Sequence, residues 1–316
     1  MISSKCPVRI SLAGGSTDLE PFIDTHGRGS VINFPISVYS YIFLHKDSLG
    51  GTGIKKKYTI SYSVREETNN VVEIKNDIVR EALSYFDLDP SWITLTSDVF
   101  AVGSGLALSS SYMNSLIKAI CIDKNLNFSN YKISKLAMDL ERKFNPLLGY
   151  QDTYGCGIGG LKRIDIGKNK NASIKHIETD IFDMFDMYLL YTGVSRSSTT
   201  VLKSVSVKDD SLLHIVDDME VCLVNSDFDG FVQTIIKGWE LKKKTSPMII
   251  ENERVKKLDT YLSNDKDVLC HRLCGAGNGG FYLAFTKKNT NIKNFHPDYY
   301  AKRVYIDQSG VVGIKI

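Results

Sequence analysis

The hydrophobic and polar positions change period several times along the chain, and each change predicts an element. Val8-Arg9-Ile10-Ser11-Leu12 alternates, and Val31 to Leu44 is dense in Val, Ile, Tyr and Phe, so both predict strands. Gly50-Gly51-Thr52-Gly53 predicts a hairpin tip before a strand around Lys57 to Ser63. Asn76 to Asp87 carries Ile78, Val79, Ala82, Leu83 and Phe86 on one helical face. Further helices are predicted from Ser109 through Ile120, and over Ile133 to Arg142, Leu212 to Asn225, Phe231 to Lys244 and Asn252 to Leu262. Met187 to Tyr191 and Phe281 to Phe285 are short apolar strands. Strands and helices mix without a regular βαβα beat, which favours two α+β lobes over a barrel or a doubly wound sheet. The polar stretch Gly167 to Ser173 is the candidate boundary loop, with a split near residue 165 into lobes 1–165 and 166–316.

Composition narrows the class without naming an activity. The chain has 316 residues, 43% hydrophobic and 24% charged, enough apolar material for a packed core and unlike a disordered chain. Lys plus Arg is 39 against 36 Asp plus Glu, a formal charge of +3, so no nucleic-acid partner is expected. The six cysteines form no Cys-x-x-Cys pair and the six histidines no metal spacing, so both sets read as structural. No apolar signal core opens the sequence, and no run approaches about 18 uncharged apolar residues. A cytoplasmic protein with no membrane partner is therefore expected.

Three glycine-bearing loops carry the candidate chemistry. Gly103-Ser104-Gly105-Leu106-Ala107-Leu108-Ser109-Ser110-Ser111 runs into a helix, where free N–H groups attract anions and small hydroxyls can reach phosphate or magnesium. An ordinary serine N-cap gives the same local pattern. Gly275-Ala276-Gly277-Asn278-Gly279-Gly280 contains the dinucleotide spacing, but a strand follows it where that motif needs a helix. Close packing of this backbone against another loop fits better. In the third loop, Arg9 precedes Gly14-Gly15-Ser16-Thr17-Asp18, a carboxylate beside a glycine turn that can bind vicinal hydroxyls or serve as an Asx-turn.

In this order the loops resemble the motifs of the GHMP kinases, the superfamily of galactokinase, homoserine kinase, mevalonate kinase and phosphomevalonate kinase. Cys6 to Asp18 resembles the first motif, Gly103 to Ser111 the phosphate loop and Cys274 to Phe281 the C-terminal glycine motif. Gly149-Tyr150-Gln151-Asp152-Thr153-Tyr154, ending in Gly159-Gly160, is a fourth match. The Ala-Gly-Gly-Ser-Thr-Asp wording, Gln151-Asp152, Thr192-Gly193-Val194-Ser195-Arg196 and Trp239-Glu240-Leu241-Lys242-Lys243-Lys244 resemble the sugar-1-kinases that act on heptose 7-phosphate.

The resemblance implies a two-lobed α+β fold, with a left-handed βαβ crossover in the N-terminal lobe and a ferredoxin-like C-terminal lobe. It implies ATP with Mg²⁺, and phosphorylation of the anomeric hydroxyl of D-glycero-D-manno-heptose 7-phosphate in surface-polysaccharide synthesis. Asp152 would face the acceptor hydroxyl with Arg9 beside it. Gly103, Ser104, Gly105, Leu106, Ala107, Leu108, Ser109 and Ser110 would bind the nucleotide. Gly15, Ser16, Thr17 and Asp18 would bind the sugar, and Ser109 with Glu141 the Mg²⁺. Arg28, Arg196 and Arg272 are candidates for a second phosphate. The partners expected are a sugar phosphate and ATP, with a monomer or a homodimer as the assembly.

Ala107 and Leu108 depart from the family's Gly followed by Ser or Thr. A positive φ at Ala107 costs about 1 kcal/mol, and Leu108 removes a hydroxyl. These departures keep a catalytically silent sugar and nucleotide sensor in view. The pattern also admits a kinase for a fucose- or galactose-like sugar and, through Gly275 to Gly280, a nicotinamide oxidoreductase.

Overall fold

A computed structural model describes residues 1–46, 57–99, 103–195, 209–290 and 299–316. The Gly50 to Gly53 tip, Ala101, Val102 and Arg196 lie outside the described residues.

Strands β1 (Ile2–Ala13) and β2 (Arg28–His45) pair antiparallel from Ile2 opposite Leu44 to Ala13 opposite Ile32. The register shifts at Pro7/Val8, where proline has no N–H to give the ladder. Strands β3 (Tyr58–Ser61), β4 (Arg65–Thr68) and β5 (Trp92–Ser97) extend the sheet beyond β2. The β3 and β5 strands are parallel, with α2 (Asp77–Phe86) on the connection between them. Asn76 caps that helix by accepting from the Val79 N–H. A shorter helix, α1 (Glu20–His26), closes on Gly27 in the left-handed region.

The sequence expected a boundary loop at Gly167 to Ser173, and the structure corrects this. These residues form the turn between β6 (Lys162–Gly167) and β7 (Ala172–His176), paired from Lys162 opposite His176 to Ile166 opposite Ala172. Because β6 also pairs β2, the turn lies within the first sheet. The last strand, β12 (Val312–Lys315), returns to pair β1, so the sheet mixes both halves of the sequence.

The second sheet is antiparallel, ordered β11 (Ala301–Arg303), β8 (Phe185–Tyr191), β10 (Phe281–Lys287) and β9 (Val268–Leu273). Helices α6 (Ser211–Val224), α7 (Phe228–Thr245) and α8 (Glu253–Asn264) accompany it. Asp227 accepts from the Gly230 N–H, so α7 starts before the expected Phe231.

One apolar core joins Val8, Ile10, Phe34 and Ile36 of the first sheet to Val216, Met219, Phe231 and Ile235 of α6 and α7 and Leu283 and Phe285 of β10. A second lies between the first sheet and α2, α3 (Leu108–Asp123) and α4 (Asn130–Glu141). Buried hydroxyls fix α3 onto the strands: Ser4 Oγ donates to Ser115 O at 2.7 Å and Ser111 Oγ to Cys6 O at 2.8 Å. No described helix is long and apolar enough to cross a membrane.

Candidate active site

Five chain segments converge on a cavity of about 330 Å³: β1 with the loop after it, the loop into α3, the stretch from Glu141 into α5 (Tyr150–Gly157), Lys242 of α7, and Gly275 with Ala276. Alternation along β1 puts Val8 and Ile10 into the core. Arg9, between them, sends its side chain into the cavity wall.

Arg9 is the hub of the site. Its Nε and Nη2 donate to Asp152 Oδ1 at 3.1 and 2.6 Å, and its Nη1 donates to Gly105 O at 2.8 Å. One guanidinium therefore ties the start of α5 to the glycine loop. The pair is asymmetric, with 5% of the Arg9 side chain exposed against 25% of Asp152. Losing Asp152 would leave a buried cation without its carboxylate. Asp152 Oδ2 makes no hydrogen bond among the described residues.

The loop reaches α3 through Ala107, which adopts φ 59° and ψ 43° as the N-cap residue and offers no side-chain cap. The first N–H groups of α3 are thus left for an anion. Asn114 clips this end to α5, its Nδ2 donating to Ser110 O at 2.8 Å and Thr153 O at 3.1 Å.

Opposite the helix start, Glu141 is buried and accepts from Ser110 Oγ at 2.7 Å. Burial pushes its carboxyl up to about 7, opposed by the Ser110 and Ser109 hydroxyls. A buried carboxylate beside two hydroxyls in a cavity wall is a hard oxygen set, and it fits a magnesium ion.

Asp18 is also buried, and burial together with the Asp152 charge raises it to about 6. Its Oδ2 accepts from the Gln151 N–H at 2.9 Å and its Oδ1 from Gln151 Nε2 at 3.1 Å. A Cβ on Gly149 would lie 2.2 Å from Asp18 Oδ2, so a larger residue there would push this carboxylate aside. Ser16 holds φ 84°, a strained value for a residue with a Cβ.

Of the expected site residues, Arg9, Gly15, Ser16, Asp18, Gly103, Ser104, Gly105, Ala107, Leu108, Ser109, Ser110, Glu141 and Asp152 all line the cavity. Two expected site residues, Thr17 and Leu106, do not line the cavity. Thr17 is fully buried, and its hydroxyl donates to Gly14 O at 2.8 Å and Ser30 O at 2.6 Å, holding the loop shut. Leu106 points into the apolar core, and only its carbonyl serves the site, accepting from the Arg9 N–H at 3.1 Å. Arg28 is exposed at the start of β2, and Arg272 is buried with Nη1 donating to Leu12 O. Neither lines the cavity.

Three residues that line the cavity, Gln151, Ser11 and Lys242, are not singled out as site residues by the sequence, although Gln151 and Lys242 fall inside segments that resemble the sugar-1-kinases. Gly275 to Gly280 connects the antiparallel strands β9 and β10, which removes the dinucleotide reading. It packs against the Gly103 to Ser110 loop instead: a Cβ on Gly280 would lie 2.3 Å from Ser104 O.

No family model matches the chain. A curated D-glycero-alpha-D-manno-heptose 7-phosphate kinase from Campylobacter jejuni is 28% identical, over 92% of this chain and 92% of that one. A crystal structure of a D-glycero-D-manno-heptose 1-phosphate kinase from Bacteroides thetaiotaomicron superposes with a TM-score of 0.76 at 21% identity, covering 100% of this chain and 99% of that chain. A Streptococcus pneumoniae phosphomevalonate kinase in complex with phosphomevalonate and AMPPNP gives 0.77 at 15% identity, covering 96% and 100%. The chain therefore shares the fold of these kinases over nearly its whole length.

Proposed function

We propose that the protein transfers the γ-phosphoryl group of ATP to the anomeric hydroxyl of a sugar, with D-glycero-D-manno-heptose 7-phosphate as acceptor and the 1,7-bisphosphate as product. The observation that carries this reading is Asp152, clamped by Arg9 in the same cavity as the uncapped start of α3. The likeness to the C. jejuni heptose 7-phosphate kinase supports the choice of sugar.

In this reading Asp152 Oδ2 accepts the proton of the attacking hydroxyl, while Arg9 holds the carboxylate in place through Oδ1. An anomeric hydroxyl is more acidic than an ordinary alcohol, so proton transfer to a carboxylate is feasible. The α3 N–H groups, with Gly103, Ser104, Gly105 and the backbone of Ala107 and Leu108, hold the phosphates, where charge builds as the phosphoryl group moves. Glu141, Ser109 and Ser110 would hold magnesium, which supplies charge neutralisation on the phosphate oxygens when bound. Gly15, Ser16 and Asp18 line the acceptor side.

The test is ADP release from ATP and Mg²⁺ with heptose 7-phosphate, L-fucose or D-galactose, followed by acid hydrolysis of the product. Turnover with heptose 7-phosphate and an acid-labile anomeric phosphate is expected. No turnover with any sugar, together with sugar-dependent ATP binding, would replace the kinase by a sensor.

A further inference from the structure

Gly15 marks a point where polar groups from three elements meet. A Cβ built there would lie 3.2 Å from Ser11 Oγ of β1, 3.8 Å from Lys242 Nζ of α7 and 3.9 Å from Gln151 Nε2 of α5. All four residues line the cavity. Two of these side chains are unsatisfied: Ser11 Oγ and Gln151 Oε1 are buried and make no hydrogen bond among the described residues. The Gln151 amide cannot simply turn over, because Asp18 Oδ1 requires its N–H. Its oxygen is therefore left as an acceptor.

Lys242 is unusual in its helix. It follows Ile235, Gly238 and Trp239 on the buried stripe of α7, a place for apolar side chains. Trp239 anchors that stripe by donating Nε1 to Asp259 Oδ1 at 2.9 Å, and Lys243 pairs with Asp259 outside the cavity. The Lys242 ammonium, donating to Gly275 O, is thus delivered into the cavity from the second lobe.

The geometry points to a hydroxyl-reading subsite made by Ser11, Gln151 and Lys242, which takes the neutral polyol face of the acceptor sugar. One sugar hydroxyl donates to Gln151 Oε1 and accepts from Lys242 Nζ, and a neighbouring hydroxyl meets Ser11 Oγ. A phosphate group does not suit this place. The cavity wall that holds this one ammonium also holds the carboxylates of Asp18 and Asp152, and a phosphate dianion has no hydrogen to offer Gln151 Oε1. Any phosphate on the acceptor must be read elsewhere. This inference rests on the sugar-kinase reading, whose failure can be told apart.

The experiment compares wild type with Lys242→Met and Ser11→Ala, using heptose 7-phosphate and its monodeoxy analogues in turnover assays and in calorimetric binding. Lys242→Met is expected to raise the acceptor KM about ten- to hundredfold, with the ATP KM within about twofold, because the lost hydrogen bond is charge-assisted. Removing the matching sugar hydroxyl costs wild type a similar factor and costs the variant nothing further. Ser11→Ala removes an unpaired hydroxyl, so its melting temperature holds or rises while the acceptor KM rises. Unchanged acceptor KM and binding in both variants, additive losses, or inorganic phosphate competing with the acceptor only when Lys242 is present would overturn the subsite. If wild type binds the sugar without phosphorylating it, and Lys242→Met abolishes that binding, the subsite stands and the kinase reading falls.

Discussion

Gly280→Ala tests whether the C-terminal glycine loop sets the shape of the phosphate loop. Gly280 has φ +86°, and its added Cβ would sit 2.3 Å from Ser104 O, where ordinary contact begins at 3.4 Å. Close-packed backbone must therefore separate by about 1 Å. Gly280 itself is pinned: its N–H donates to Val194 O at 3.0 Å, and its carbonyl accepts from Thr192 N and Oγ1, both at 2.9 Å. Shifting it breaks three hydrogen bonds at about 1 kcal/mol each, so the loop carrying Ser104 is the part that yields.

Gly27→Ala supplies the reference, because Gly27 has a similar φ of +75° with nothing within 4 Å of its Cβ position. That substitution should cost only the left-handed strain, about 1 kcal/mol, with no change in KM for ATP. Gly280→Ala should cost about 2 to 4 kcal/mol in all and raise the ATP KM at least tenfold. Urea unfolding and initial rates at varied ATP measure both. Equal destabilisation of the two variants with an unchanged ATP KM would refute the bracing argument.

Asp152→Asn should fold and keep its ATP KM within a fewfold while kcat falls about 10²- to 10⁴-fold; a kcat near wild type removes Asp152 from proton transfer. Glu141→Gln should raise the Mg²⁺ concentration at half-maximal rate, read by titrating Mg²⁺ at fixed ATP, and an unchanged value would place the metal elsewhere. Asp18 titrates near 6 when folded against an ordinary 3.8. Because the folded value is raised, its contribution is fully present below 3.8 and is lost as pH rises through 6, at most about 3 kcal/mol. Urea unfolding from pH 3.5 to 7 should show a decline that Asp18→Asn flattens, and identical slopes in both proteins would count against it.

The sequence alone was enough for what depends on neighbours in the chain. Periodicity located α2, α4 and α6 to within a few residues, because each buries one continuous stripe, while α3, buried nearly all round, was located by its apolar run after the glycine loop. The resemblance marked Arg9, Asp152, Glu141 and the glycine loop, and the positive φ that the sequence left as a condition at Ala107 is present there. Short elements escaped: α5 holds only Tyr150–Gly157, and β6, β7 and β12 owe their existence to partners distant in sequence.

Tertiary structure decided which polar groups face the cavity. Thr17 and Leu106 belong to motifs that meet it, yet a buried hydroxyl must satisfy local carbonyls and a buried leucine belongs in the core. Lys242 is one of three consecutive lysines. Only the orientation of α7, fixed by Trp239 on Asp259 and by packing between the lobes, selects it for the cavity. A linear sequence records residue types and spacing. Which donors and acceptors face a ligand is settled only when distant segments pack.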